Sequence, residues 1–171
     1  MVRVGPHEAL VVNTPRGARV HFDNTLVMPL VHHAARFDLT PQTVVIEHAG
    51  KEGLVCRDGI RADLRAAFRV SVPRTTESVL LFAQNLGPRR AGDPETLTAL
   101  FAAKFSDALK TAARQLDFVE LVDHRDRFRD EVMRGIGADL HGFHLDDLVL
   151  QHLEQTPGAH ARAEQPPRRP A

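Results

Sequence analysis

The sequence predicts an α+β domain, a twisted and mostly antiparallel sheet with helices packed on it, and three observations carry that expectation. The first half alternates apolar and polar residues over short runs separated by turn residues. One run, Ile60 to Val72, keeps the two-residue period throughout and follows an Asp58-Gly59 pair suited to a tight hairpin. From Asp93 onward the period changes to the three- and four-residue steps of an amphipathic helix.

In order along the chain, Glu8 to Asn13 reads as the first strand, Pro15-Arg16-Gly17 as a turn, and Ala18 to Phe22 as the second strand, closed by Asp23-Asn24. Leu26 to Met28, Val31 to Leu39 and Gln42 to His48 are further extended candidates; Pro29 and Pro41 break them, because proline cannot donate to a ladder. In the long strand Ile60, Ala62, Leu64, Ala66, Phe68, Val70 and Val72 share one face, and Arg61, Asp63, Arg65, Arg69 and Ser71 the other. At about 3.3 Å per residue such a strand spans roughly 40 Å, the spine of the sheet. Val79 to Leu86 is a short helix candidate ended by Gly87-Pro88. Asp93 then caps a longer helix, with Pro94 at its first position and Glu95 at the positive end of the dipole. Its apolar stripe runs from Leu97 through Phe101, Phe105 and Leu109 to Leu116. Asp123 is expected to cap a further helix carrying Phe128, Val132, Ile136 and Leu140, with Gly142 as its left-handed C-cap. Phe143 to Leu153 returns to an extended pattern. Residues 1–154 are therefore expected to form one domain, and 155–171, rich in proline and arginine, a disordered tail.

Composition narrows the function. A chain of 171 residues with 43% hydrophobic residues suits one core. Lys+Arg and Asp+Glu both number 22, a formal net charge of zero, so the basic excess of nucleic-acid binding is missing. Cys56, the single cysteine, cannot form an internal disulfide and indicates a reducing compartment, the cytoplasm up to the cytoplasmic face of a membrane. No signal-peptide core can be drawn in Met1 to Leu10, and no apolar run reaches the roughly 20 residues of a membrane-spanning helix.

Four segments resemble the SPFH (band-7) family of stomatins, prohibitins and flotillins, most closely a bacterial flotillin-type domain. Gly5-Pro6-His7-Glu8-Ala9-Leu10-Val11-Val12 is similar to the family's opening strand, and Arg57-Asp58-Gly59-Ile60 to its T-x-D-G-V step. Phe118-Val119-Glu120-Leu121 through His124-Arg125-Asp126-Arg127-Phe128 resembles its short E-E-L turn, D-R pair and following helix; Gly142-Phe143-His144-Leu145 resembles the glycine leading into its closing strand. The likeness spans about residues 5 to 153. It implies a non-enzymatic scaffold that associates with other SPFH-domain proteins or membrane-associated proteins, with no nucleic acid as partner. Relatives commonly carry a membrane anchor before this domain and a coiled coil after it. Here Met1 stands almost at the first strand and Gln155 opens a tail without heptads, so the expectation is peripheral membrane contact at most and weak homo-oligomerisation.

The candidate chemistry is thin. His141, His144, Asp146, Asp147 and His152 form the best metal-like group and the alternative reading, a metal-binding protein or enzyme; yet His-x-x-His alone is a weak spacing, and solvated strand histidines are expected. A soluble adaptor competing with full-length relatives is a further alternative. His32, His33 and His48 lie in strand patterns and read as surface or rim residues, and Cys56 as a strand thiol of no special reactivity. Arg61, Arg65 and Arg69 could read lipid headgroups, but Asp63 among them argues for an ordinary solvated face. The helix from Asp93 mixes Lys104, Lys110 and Arg114 with Asp107 and is expected to pack on the sheet rather than on a membrane. Pro167-Arg168-Arg169-Pro170 has the PxxP spacing of SH3 ligands, a pattern of low specificity. No catalytic, cofactor-binding or metal residues, and no cofactor, are expected.

Overall fold

The computed structural model describes residues 1–28, 32–88, 90 and 93–158. Its strands are β1 (Glu8–Thr14), β2 (Gly17–His21), β3 (His33–Asp38), β4 (Gln42–His48), β5 (Leu54–Val55), β6 (Arg61–Ser71) and β7 (His144–Gln155), with a 3-10 turn at Gly50–Glu52. The helices are α1 (Thr76–Asn85), α2 (Pro94–Ala113), α3 (Phe118–Asp123) and α4 (Arg125–Ile136). Strands and helices are both abundant, as the α+β reading requires. The expected single sheet is two: a three-stranded sheet in the order β2-β1-β3, and a four-stranded one in which β4, β5 and β7 all pair β6. The chain divides into two compact units, each built from three separate stretches.

The first unit comprises residues 1–44, 69–100 and 138–146. β1 lies between antiparallel partners, with Val12 opposite Arg19 on β2 and Ala34 on β3, and Leu10 opposite His21 and Arg36. Ala9 to Val12 are all buried, so β1 is covered on both faces. α1 begins where the Thr75 hydroxyl accepts the Ser78 amide at 3.2 Å, a cap that satisfies one free donor of the first turn. Phe82, on the inward side of α1, meets Phe37 and Phe143 edge-on at centroid distances of 5.5 and 5.0 Å. Gly142 backs onto the same helix: its φ is +92°, and a Cβ there would lie 2.5 Å from the Ser78 carbonyl oxygen and 2.7 Å from the Phe82 amide. Only glycine fits that approach.

The second unit comprises 45–68, 101–137 and the described residues from 147. Leu54 and Val55 pair Ala62 and Arg61 across the Asp58-Gly59 turn, in which Gly59 takes φ +81°. On β6 the alternate residues Ala62, Leu64, Ala66 and Phe68 are buried, as the two-residue period requires, and Ala67 is small enough to be covered as well. Phe68 stacks on Phe105 of α2 at 4.4 Å, and Phe105 on Phe101 at 5.3 Å. All three rings are at most 1% exposed, so truncating any of them to alanine should cost about 3–5 kcal/mol. Phe128, Val132 and Ile136 form the buried stripe of α4.

Several boundaries differ from the sequence reading. Leu26 and Met28 are exposed and belong to no strand, and Val31 lies outside the described residues. Phe118 to Leu121 is a helix rather than a turn: Asp117 is the N-cap, Glu120 reaches back to the Asp117 amide at 3.0 Å, and Asp123 closes α3 instead of opening α4. α4 stops at Gly137 (φ +70°), not at Gly142, because Gly142 is spent on the approach to α1. Gln155 belongs to β7 and Thr156 is 1% exposed, although both read as tail; residues 159–171 lie outside the described residues.

Candidate functional site

The Asp-Gly hairpin proves to be a hub. Arg57 grips Asp117 with two parallel bonds, Nε to Oδ1 and Nη2 to Oδ2, both at 3.0 Å. Its Nη2 also reaches Glu120 at 2.9 Å, and Nη1 the Gln115 carbonyl at 3.3 Å. The backbone joins in: the Arg57 amide donates to the Leu116 carbonyl at 2.9 Å, and Asp58 accepts the Phe118 amide at 3.2 Å. The planar fork suits a carboxylate in this bidentate way, which holds the Asp117 carboxyl below its usual range and the guanidinium above its own. Two sequence segments that looked like separate motifs are thus one joint between the β5–β6 hairpin and the start of α3.

A second tie closes the far end of β7. Thr156 donates its hydroxyl to Asp63 at 2.5 Å and its amide to the Arg61 carbonyl at 2.9 Å, while Asp63 also accepts the Gly50 amide at 2.9 Å. Asp63 is therefore not one of a row of solvated charges but an internal acceptor. Arg61 donates to the Lys51 carbonyl at 2.7 Å, which leaves Arg65 and Arg69 as the exposed arginines of β6.

His48 corrects the surface reading most clearly. It is 7% exposed, with Nδ1 3.1 Å from the Glu52 carbonyl oxygen and Nε2 2.9 Å from the Ser106 hydroxyl. A carbonyl only accepts, so Nδ1 carries the hydrogen and Nε2 accepts from Ser106. Burial, with Lys110 acting in the same direction, lowers its pKa against the raising effect of Glu52. The imidazole is thus a neutral tie between β4 and α2. The strand pattern read His48 as a surface or rim residue, and nothing in the sequence signalled Ser106 as its partner. Cys56 is 3% exposed, and burial, then the carboxylates of Asp58 and Asp117, push its thiol up to about 12, where it is a poor nucleophile at neutral pH.

The His141–His152 region is dispersed. Asp146 accepts from the Ser71 hydroxyl at 2.9 Å, Asp147 from the Leu148 amide at 2.8 Å, and His152 lies 3.2 Å from Glu154. His141 stands in the turn before β7 with φ 56°. Among the described residues no three His, Cys, Asp or Glu side chains come together as a metal site would need, and none of these helices is long and apolar enough to cross a membrane. What β7 does offer is an edge: it pairs β6 and no other described strand, and Val149 on it is half exposed.

A long central strand, an Asp-Gly joint and a closing strand introduced by a close-packed glycine together agree with the motif resemblance in the sequence. The chain belongs to the SPFH domain / Band 7 family, whose match covers residues 2–164. It is similar to the flotillin family inner membrane protein YqiK of Escherichia coli, 31% identical over 137 residues, which are 79% of this chain and 25% of that protein. It is also similar to the flotillin family inner membrane protein sll1021 of Synechocystis sp., 24% identical over 133 residues, 77% of this chain and 20% of that one. The chain thus spans a quarter or less of the length of these relatives.

Proposed function

We propose that this chain is a non-enzymatic association domain of the flotillin kind, contacting like domains and membrane-associated proteins at the cytoplasmic face of a membrane. The observation that carries this reading is the family match over residues 2–164, with relatives named as inner membrane proteins. Two structural features support it. The polar groups brought together inside the second unit, Arg57 with Asp117 and Glu120, Asp63 with Thr156, and His48 with Ser106, are consumed in joining elements. The outer edge of β7 carries backbone donors and acceptors with no described strand beside them, and such an edge is a template for another chain. An interface of this kind is weak in dilute solution and grows when copies are held together on a surface.

Histidine-tagged protein held on nickel-lipid vesicles tests this. Energy transfer between donor- and acceptor-labelled copies should rise more steeply with surface density than random crowding allows, and fall when Val149 is changed to Lys. Transfer that follows the random-placement curve at every density would overturn the reading.

A further inference from the structure

Three exposed apolar side chains of the first unit, Met1, Leu26 and Met28, follow a single backbone bridge. Val2 and Thr25 exchange backbone bonds of 2.8 and 3.1 Å in an antiparallel bridge, which sets Met1 and Leu26 as the next neighbours along the pair, with Met28 two residues on. These three are 84%, 72% and 59% exposed, the three most exposed large apolar side chains among the described residues of the first unit. Met1 and Met28 project outward, and Leu26, itself mostly exposed, borders a cleft. Beside them opens a cleft of about 400 Å3, whose walls include Arg16, Arg19, His21, Leu26 and His32.

The register explains the cationic lining. Arg19 lies opposite Val12 and His21 opposite Leu10, so both face the same side of the β1–β2 hairpin; across β1 that side continues through Ala34, two residues after His32. Among the described residues no carboxylate lines the cleft; Asp23, in the adjoining turn, stands outside it. Arg16 and Arg19 are exposed, and His32 Nδ1 is buried with no hydrogen-bond partner among the described residues.

We propose that this face is a membrane-docking surface for anionic phospholipid, in which Leu26, Met28 and Met1 enter the boundary between headgroups and acyl chains while Arg16 and Arg19 meet the phosphates. The inference rests on the membrane placement proposed above and adds the surface responsible. Two features select a bilayer over a protein partner. Projecting, unbranched or singly branched apolar chains need no complementary pocket in a fluid boundary, and a cationic cleft free of carboxylates complements a continuous anionic surface. This basic feature is not the arginine row of β6, where Arg61 and Asp63 are already bonded.

Co-sedimentation with vesicles tests it, using phosphatidylglycerol mixed into phosphatidylcholine against phosphatidylcholine alone. Binding should require the anionic lipid and weaken with added salt. Because each arginine near an anionic surface is worth about fivefold, Arg16→Glu with Arg19→Glu should weaken partitioning by at least about tenfold. Leu26→Ser with Met28→Ser should do likewise, while Arg65→Glu on β6 changes it by less than about twofold. All these positions are exposed, and circular dichroism checks that the variants fold. Failure to bind anionic vesicles, equal binding to neutral ones, or binding that both double variants leave intact would each overturn the proposal. The nickel-lipid experiment supplies its own attachment, so domains that associate when tethered yet ignore anionic vesicles would refute this surface alone.

Discussion

A single imidazole shows how a residue can serve the fold through its charge state. His48 is held neutral between the Glu52 carbonyl and the Ser106 hydroxyl, with its folded pKa below the ordinary 6.5, chiefly through burial. The unfolded chain therefore takes up the proton first. The stability contributed by neutral His48 is complete above about pH 6.5 and is lost as pH falls through the lowered folded value. Urea midpoints should drop between pH 7 and pH 5, and the drop should be smaller in His48→Gln; an identical slope in the variant would remove His48 from the account. At pH 8, Ser106→Ala strips the ring of its donor and should cost about 1–3 kcal/mol in urea unfolding. Cys56 gives a second check. With its thiol pushed up to about 12 and only 3% exposed, it should react with a disulfide reagent very slowly in native protein and promptly in urea. Prompt native labelling would mean that the hairpin opens far more readily than its bonding suggests.

Among elements, the joints decide more than the elements themselves. Arg57→Ala removes both bonds to Asp117 and the one to Glu120, so amide exchange should quicken at Gly59 and Phe118 while Phe82 on α1 stays protected. A uniform increase would indicate global destabilisation instead. Gly142→Ala should be the harsher change. It forces a side chain into a left-handed backbone at φ +92° and into the α1 backbone, and thermal unfolding should report a loss of at least about 2 kcal/mol. These joints also mark how far the sequence could be read. β4, β6 and α2 were visible because a period of two or of 3.6 repeats along the chain itself and needs no knowledge of partners. The motif resemblance drew attention to Arg57, Asp58, Glu120 and Gly142, but not to the bonds of Arg57 to Glu120 and of the Phe118 amide to Asp58, which span about 60 positions. Asp123 reads as a cap in the sequence because it offers the same chemistry as Asp117, six residues earlier, and only Glu120 bonded to the Asp117 amide tells the two apart. The His48–Ser106 and Asp63–Thr156 ties follow from packing between distant stretches, and no local pattern announces them.

At the scale of the whole molecule, charge sets the background against which any specific contact must be seen. With 22 basic and 22 acidic residues, the chain has no formal net charge at pH 7, so copies in solution do not repel one another over long range. Ten histidines make that balance sensitive to mild acid, because the ordinary charge change of an imidazole falls between pH 5 and 8. Burial holds His48 neutral further down. The second virial coefficient, from static light scattering at low salt, should therefore be lowest near pH 7 and rise towards pH 5.5 as the molecules become cationic; about 0.15 M salt should flatten the curve. Binding to anionic vesicles should strengthen over the same range as repulsion in solution grows, because the same protons that separate copies from one another draw each copy to a negative surface. A virial coefficient independent of pH, or one that falls in acid, would show that short-range apolar contact already dominates in solution. The association proposed for this domain would then need no membrane to concentrate it.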